Sequence, residues 1–136
     1  MAQSKFTKHV VTRLLVLLVF ISNMYCAVMF FFNPGDYTAA FQISGEGAQT
    51  AIAGVGAAFA MWNVTYLPII VFPYKFTMLF GVVVAQQIIG LAGETYLYLG
   101  LGPAQAIVAS SIMRFIIFDA IGLVLLIIAL TLSMRR

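Results

Sequence analysis

The sequence predicts an all-α membrane protein in which four transmembrane helices form one antiparallel bundle, and composition and run length both indicate this. The chain has 136 residues, of which 63% are hydrophobic and 8% are charged, and its mean hydropathy is +1.08. Soluble domains carry roughly 25% charged residues, so a water-soluble fold is excluded. Four apolar runs of about 20 residues or more use most of the length. The remaining connectors are short, which predicts a single membrane domain over residues 1–136.

The first span is predicted over residues 10–32. Basic residues precede it, and the sequence Asn33-Pro34-Gly35 ends it because proline and glycine stop a helix. A cleavable signal peptide is the alternative, but its apolar stretch would be shorter and would end in small residues at a cleavage site. Here the apolar run continues to Phe32. We therefore interpret this segment as a retained span.

The second span is predicted over residues 49–72, and Pro68 lies within it. Proline has no amide hydrogen, so the carbonyl of Val64 loses its helical partner and the helix is expected to bend near its end. In the preceding connector, Asp36 is expected to N-cap a short amphipathic turn over residues 37–43.

The third and fourth spans are predicted over residues 76–99 and 104–134. A tight turn precedes the third span, and a glycine- and proline-containing turn separates it from the fourth. Short connections of this kind predict that consecutive spans are antiparallel neighbours.

The charged residues outside the apolar runs predict the orientation. Basic residues cluster at the amino terminus, in the turn before the third span and at the carboxyl terminus: Lys5, Lys8, Arg13, Lys75, Arg135 and Arg136. Asp36 and Glu46 lie in the connector on the opposite side. Cytoplasmic loops carry the excess of Lys and Arg, so both termini are expected in the cytoplasm, with the chain in a bacterial inner or plasma membrane. The same distribution argues against nucleic acid as a partner.

Cysteine and histidine are too few for several kinds of site. Cys26 is the only cysteine, so no intrachain disulfide and no cysteine-based metal or iron–sulfur site is possible. His9 is the only histidine, so one chain cannot supply two axial haem ligands from its helices. We expect neither a metal nor a cofactor.

Polar and small residues indicate which helix faces point inward, because apolar residues contact lipid and protein about equally well. In the second span such residues recur at spacings of four and three, on one face: Gln49, Ala53, Gly56, Ala60 and Asn63. This pattern is typical of close helix packing. In the third span Gln87, Gly90 and Glu94 share a face, with Gln86 and Gly93 beside them. At 1.5 Å per residue, Gln86 and Gln87 are expected about 15 to 17 Å deep and Glu94 about 27 Å along, near the outer surface.

The fourth span carries two charged residues, Arg114 and Asp119. They are expected about 10 to 15 Å and about 18 to 22 Å from the outer end, and a separation of five residues places them roughly 140° apart around the helix. Each therefore needs a partner on another helix. Depth matching pairs Arg114 with Glu94 or Glu46, and Asp119 with Gln87, Gln86 or Asn63. Asp119 could instead stay protonated, because an unpaired charge at that depth costs at least about 3 kcal/mol.

Two interpretations of these polar residues stay open. One is a polar pocket open towards the outer face, with Trp62 and Tyr66 as aromatic walls, that binds a small ligand, a lipid headgroup or a proton. The other is a set of interhelical hydrogen bonds and an ion pair that fix helix order, which we slightly favour. The residues concerned are Glu46, Asn63, Trp62, Tyr66, Gln86, Gln87, Glu94, Arg114 and Asp119.

Several short motifs resemble those of the DoxX-like family of small four-helix membrane proteins. They are Asn33-Pro34 at the end of the first span, Tyr37-Thr38-Ala39-Ala40-Phe41 in the connector, and Arg114-Phe115 and Gly122-Leu123 in the last helix. The resemblance covers most of the chain and implies the four-helix fold. Members of that family include subunits associated with quinone-linked oxidoreductases, and no catalytic residue carries over.

Three functions are compatible with the sequence. The first is an accessory or structural subunit that packs within a larger membrane complex, and we favour it. The second is a small-molecule or proton-coupled transporter, or a ligand-binding protein, that uses Glu94 or Asp119. The third is an enzyme acting on a lipid or a quinone, for which no nucleophile–base pair or phosphate loop is found, so that an enzyme is the weakest candidate. Expected partners are the lipid bilayer, other membrane subunits or further copies of the chain, and a lipid- or quinone-like ligand.

Overall fold

The structure, a computed structural model, describes residues 2–134, and side chains from residue 7 onward. It confirms the all-α fold with four membrane spans. The α-helices are α1 (Ala2–Phe32), α2 (Glu46–Asn63), α3 (Tyr66–Val71), α4 (Thr77–Leu99) and α5 (Ala106–Met134). Short 3₁₀ helices at Pro34–Tyr37 and Pro103–Gln105 lie in two of the connections. Helices α2 and α3 together make the second span, and each of the four spans is long and apolar enough to cross a membrane.

The second span is interrupted rather than merely bent. Helix α2 ends at Asn63 and α3 begins at Tyr66, so the break lies at residues 64 and 65, one turn before Pro68. Pro68 has no amide hydrogen to donate to the carbonyl of Val64. That carbonyl instead accepts a 3.3 Å hydrogen bond from the amide of Leu67. The missing proline donor therefore produces a tighter local turn that satisfies the freed carbonyl.

Asp36 does not cap a turn over residues 37–43, so this prediction was wrong. Asp36 lies inside the Pro34–Tyr37 3₁₀ helix, whose N-cap is Asn33 and has no side-chain capping bond. Proline at the first position sets the backbone for that helix, which begins three residues earlier than expected. Turns follow it, with Thr38 Oγ1 donating 3.0 Å to the carbonyl of Gly35.

Helix α1 occupies the middle of the bundle, where it packs against α2, α3 and α5, while α4 packs mainly against α5. Consecutive spans are therefore neighbours, although the second and third meet chiefly through the short α3. The tightest approach is at Gly56, where an added Cβ would lie 2.6 Å from the amide nitrogen of Phe31 and 2.8 Å from the carbonyl oxygen of Ala27. Glycine at this seam lets the two backbones touch, as the small-residue pattern predicts.

The two ends of the bundle differ in charge. At what we call the basic end, the start of α1 meets the 72–76 turn and the end of α5. There Arg13 donates a 2.7 Å hydrogen bond to the carbonyl of Val71 at the end of α3, and the ring of His9 lies 3.8 Å from that of Tyr74. A cationic side chain at the carboxyl terminus of a helix hydrogen-bonds a free carbonyl and interacts favourably with the negative end of the helix dipole. Arg135 and Arg136, which also entered the orientation prediction, lie outside the described residues.

The opposite end, which we call the acidic end, carries the 33–45 connector and the 100–105 turn. These segments meet where Gln42 Nε2 donates 3.4 Å to the carbonyl of Ala104. Asp36 and Glu46 are exposed here. The four spans thus place the start of α1 and the end of α5 at the same, basic end.

Gly56→Ala tests the packing of α1 on α2. The added methyl group would meet backbone, which cannot move aside as a side chain can. We expect the free energy of unfolding to fall by about 1–3 kcal/mol, the usual effect of overpacking. Unfolding in mixed micelles, followed by circular dichroism, measures this. Gly54→Ala on the same helix is the control, because an added Cβ there meets nothing within 4 Å. Equal stability of the two variants would contradict the proposed seam.

Candidate functional site

Four polar side chains, one from each span, meet in the middle of the bundle, and we call them the polar layer: Asn23, Tyr66, Gln87 and Asp119. Asn23 Nδ2 donates to Tyr66 Oη over 3.4 Å, and Tyr66 Oη donates to Gln87 Oε1 over 3.3 Å. Gln87 Nε2 in turn donates to the backbone carbonyl of Asp119 over 3.3 Å. Tyr66 and Gln87 are almost fully buried. Because hydrocarbon offers no partners, these bonds between spans satisfy groups that would otherwise be costly to bury.

Two glycines make room for this layer. An added Cβ at Gly90 would lie 3.2 Å from Asp119 Oδ2 and 3.3 Å from Trp62 Cη2. At Gly122 it would lie 3.2 Å from Gln87 Nε2. The absence of side chains at both positions lets the carboxyl group, the indole and the amide pack against helix backbone. The sequence predicts Gly90 on the inward face of the third span. In the structure, glycine at this position makes room for the Asp119 carboxyl group and the Trp62 ring.

A small cavity of about 30 Å³ lies beside the polar layer. It is lined by Asn23, Phe59, Trp62, Asn63, Gln87 and Asp119. Among these residues, Asn63 is 3% exposed, and its Oδ1 is buried without a hydrogen-bond partner, as is Trp62 Nε1. A cavity of this size holds about one water molecule. One water molecule can accept a hydrogen bond from Trp62 Nε1 and donate one to Asn63 Oδ1, so a single water would satisfy both unpaired groups.

Two carboxylic acids lie inside the spans in this half of the bundle, and both are partly buried. Asp119 lines the cavity and packs against Gly90, and Glu94 lies one helical turn beyond Gly90 towards the acidic end. Glu94 Oε2 is buried without a hydrogen-bond partner. Within residues 7–134, no cationic side chain forms an ion pair with either acid. The site therefore has two acids and no resident positive charge.

Arg114 is not the neutralising group that depth matching suggested. Its side chain is exposed, and its Nη2 donates over 3.3 Å to Ser111 Oγ on the same helix. The roughly 140° between Arg114 and Asp119 turns the guanidinium away when the carboxyl group faces inward. Glu46 also lies apart, since it is exposed in the first turn of α2, 17 residues before Asn63 and therefore roughly 25 Å away along the helix.

Gln86 belongs to a second polar contact at the edge of the site. Thr65 Oγ1, in the break between α2 and α3, lies 3.2 Å from Gln86 Oε1 and 2.8 Å from the carbonyl of Trp62. At the break, the carbonyl of Trp62 thus accepts hydrogen bonds from the hydroxyl and, over 3.3 Å, from the amide of Thr65. Glu94 lies one turn beyond the site and Glu46 and Arg114 lie apart, while the structure brings together the other predicted pocket residues: Trp62, Asn63, Tyr66, Gln86, Gln87 and Asp119.

An aromatic cluster lies between this site and the acidic end, with Phe30 at its centre. The Phe30 ring lies 4.6 Å from Tyr37, and about 6 Å from each of Phe41, Phe59 and Phe115. Phe59 in turn meets Trp62 edge-on at 6.2 Å. These ring pairs fill the space between α1, α2 and α5 and include no residue of α4, which carries Glu94. Phe30 itself is 3% exposed, so it is a core residue rather than the interfacial anchor that its neighbours Phe31 and Phe32 can be.

Sequence reasoning missed Asn23 and Thr65. Asn23 is one of few strongly polar residues in the predicted first span, and that signal was available, but its inward face was not traced. Thr65 becomes a site residue only because the helix breaks beside it. Its role could not be deduced from periodicity.

Comparison with known proteins identifies no relative: no family model, no curated protein and no solved structure matches the chain. The function is therefore inferred from the geometry of the site.

Gly90→Ala tests the packing around Asp119. The added methyl group would press on Asp119 Oδ2 and on the ring of Trp62, both of which can yield by a few tenths of an ångström. We expect an altered fluorescence emission of Trp62, the only tryptophan of the chain, and a loss of stability of about 1 kcal/mol. Gly93→Ala is the matched control, because its added Cβ meets nothing within 4 Å. Identical spectra for the wild type and both variants would show that Gly90 does not contact Trp62.

Proposed function

We propose that this protein binds a proton within the membrane at Glu94 and Asp119, and that it acts as a small proton-coupled carrier or ligand-binding protein. The observation that supports this is the absence of a cationic partner for either acid among the described side chains, although both are partly buried at membrane depth. A purely structural role for these acids would have been best served by an ion pair with Arg114. That arginine instead bonds Ser111.

The cost of an ionised carboxylate in hydrocarbon supports a proton as the neutralising species. An unpaired charge costs at least about 3 kcal/mol at the centre of a span, so the acids are expected to be neutral unless a cation joins them. The described basic side chains other than Arg114, which include Arg13 and Lys75, lie at the basic end, in the first turns of α1 and in the 72–76 turn. The proton is the smallest cation, so it can reach these acids inside the bundle and neutralise them.

The positions of the two acids suggest a direction of entry. Glu94 lies five residues from the end of α4 at the acidic end, about 7.5 Å along the helix axis. Asp119 lies 13 residues from the start of α5, about 20 Å along. A proton from the acidic end would therefore reach Glu94 first and Asp119 second. The single water proposed for the cavity lies beside Asp119, which holds the proton.

The small volume of the cavity limits the ligand. About 30 Å³ accommodates a water molecule or a proton carried by one, and excludes a drug-sized solute, whose sites occupy roughly 300–1,000 Å³. Any larger cargo would require the bundle to open.

A hydrophobic carbodiimide tests which acids are protonated. Dicyclohexylcarbodiimide enters bilayers and adds to a neutral carboxyl group: the carboxyl proton moves to a nitrogen as the oxygen bonds the central carbon. We expect mass spectrometry to find the adduct on Asp119 and Glu94 at neutral pH. Asp36 and Glu46 are internal controls, because both are exposed at the acidic end rather than inside the bundle. Labelling of the exposed pair alone would contradict the proposal.

Proton flux into liposomes tests the function itself. With the protein reconstituted and a pH dye inside, a pH gradient should drive flux above that of protein-free liposomes. Asp119→Asn and Glu94→Gln should abolish the excess, because neither amide can exchange a proton as a carboxyl group does. Asp36→Asn, an exposed acid at the acidic end, should leave it intact. Unchanged flux in both site variants would remove the hypothesis.

An accessory subunit of a larger membrane complex is the second candidate, and exposed Arg114 on α5 favours it. A guanidinium on a membrane span, with only Ser111 as its partner within the described residues, suits a carboxylate on another chain. The resemblance to DoxX-like proteins, some of which are associated with quinone-linked oxidoreductases, is in line with this candidate. Co-purification in mild detergent separates the two: a larger assembly that Arg114→Gln disperses supports it, and a lone monomer opposes it.

The proposed orientation places the basic end in the cytoplasm and the acidic end outside, in a bacterial inner or plasma membrane. Lys8, Arg13 and Lys75 support it through the excess of basic residues that cytoplasmic segments carry. A single cysteine placed in the 33–45 connector tests this orientation. We expect an impermeant maleimide to label it in intact cells. A cysteine that the reagent does not label would reverse the orientation.

A further inference from the structure

A groove between α4 and α5 opens to the bilayer at the basic end of the bundle. Its volume is about 520 Å³, within the roughly 300–1,000 Å³ of sites that bind drug-sized molecules. Apolar side chains of Met78, Leu130 and Met134 line it, together with Tyr74 and Gly81. At Gly81 an added Cβ would meet nothing within 4 Å, so the groove owes part of its width to that glycine.

The polar end of the groove carries an unused hydrogen-bonding group. Tyr74 Oη is buried without a hydrogen-bond partner in the described structure. Its ring packs against the His9 ring, 3.8 Å away. A buried hydroxyl without a partner costs free energy, so a turn of the Tyr74 ring that brings Oη into the groove, onto an acceptor oxygen of a ligand, would be favoured.

The charged side chains near the groove are basic. Lys75 directly follows Tyr74, its Nζ lies 5.7 Å from the ring centre of Phe76, and Lys8 and Arg13 are on the neighbouring part of α1. In the sequence, Arg135 and Arg136 follow Met134. All four acidic residues of the chain lie elsewhere, at the acidic end or beside the central cavity: Asp36, Glu46, Glu94 and Asp119. An anion at this groove would therefore meet no Asp or Glu side chain.

We propose that this groove binds one anionic phospholipid, with an acyl chain between α4 and α5, an oxygen of the headgroup region on Tyr74 Oη, and the phosphate near Lys75. The requirement for both an apolar chain and an anionic head distinguishes this ligand from free phosphate, which would leave the apolar wall uncovered. A comparison within the molecule supports the choice. A groove of similar volume at the acidic end, about 500 Å³, is lined by residues such as Tyr96 and Leu99. Among the described residues, neither groove is lined by a cationic side chain, but only the groove at the basic end has basic residues next to its lining residues in the sequence, with Lys75 directly after Tyr74.

Native mass spectrometry of the full chain tests the proposal. Protein purified in mild detergent is titrated with phosphatidylglycerol and with phosphatidylcholine of the same acyl chains. We expect one tightly bound phosphatidylglycerol, favoured over phosphatidylcholine by about fivefold or more, since each basic residue near a headgroup contributes about a fivefold preference. Equal binding of the two lipids would overturn the proposal.

Four variants locate the site. Gly81→Leu should fill the groove and reduce phosphatidylglycerol binding about tenfold, the loss expected when about two methylene groups of a buried chain are displaced. Gly93→Leu on the same helix is its control, because its added Cβ also meets nothing within 4 Å. Lys75→Gln should remove about fivefold of the preference for the anionic lipid, and Arg114→Gln, which removes an equal charge from the other half of the bundle, should not.

Tyr74→Phe keeps the ring and deletes only the hydroxyl group, so it remains informative if Gly81→Leu fails to fold. We expect it to weaken binding of both lipids while Arg114→Gln has no effect. Binding that survives both Gly81→Leu and Tyr74→Phe would place the lipid elsewhere and overturn the assignment.

Discussion

Hydrocarbon offers no hydrogen-bond partner, and this constraint explains why the four spans of the protein meet where they do. Asn23, Tyr66, Gln87 and Asp119 each come from a different span and form a chain of hydrogen bonds across the bundle. Apolar contacts alone would not fix the rotation of each helix, because lipid tails are as apolar as leucine. The polar layer therefore defines which face of each helix is inward. Gly56, Gly90 and Gly122 then set how closely the spans approach.

The same constraint makes the site chemically unusual. The hydrogen bonds satisfy Tyr66 and Gln87, but they leave Asn63 Oδ1, Trp62 Nε1 and Glu94 Oε2 without partners. A bundle that only needed to hold together would be more stable with apolar side chains at these positions, because an unpaired buried polar group costs about 1–3 kcal/mol. Asn63 and Trp62 line a cavity the size of one water, and in the proposed function that water lies beside the proton-binding Asp119. The aromatic cluster around Phe30 packs against the same region through Phe59.

Much of the fold follows from the sequence because hydropathy, proline and glycine act locally. The four spans, the disturbance of the second span before Pro68 and the close packing at Gly56 were all predictable in this way. The direction of Arg114 was not, because depth matching fixes how far along a helix a residue lies but not which neighbour it faces. Asn23 and Thr65 were missed for related reasons: one requires the rotation of α1 and the other the helix break. Asp36 lies in a 3₁₀ helix because Pro34 starts that helix earlier than a side-chain cap would.

The inward orientation of Asp119 is the central claim, and oxygen accessibility of spin labels along α5 tests it most directly. Single cysteines would be introduced on a Cys26→Ser background and the labelled protein placed in bilayers. The structure predicts high collision rates at Ile117, Ile121 and Val124, which are 54%, 58% and 55% exposed, and low rates at Asp119 and at fully buried Leu126. A label at position 119 that oxygen reaches as readily as one at position 121 would show that the carboxyl group faces lipid, and would contradict the account.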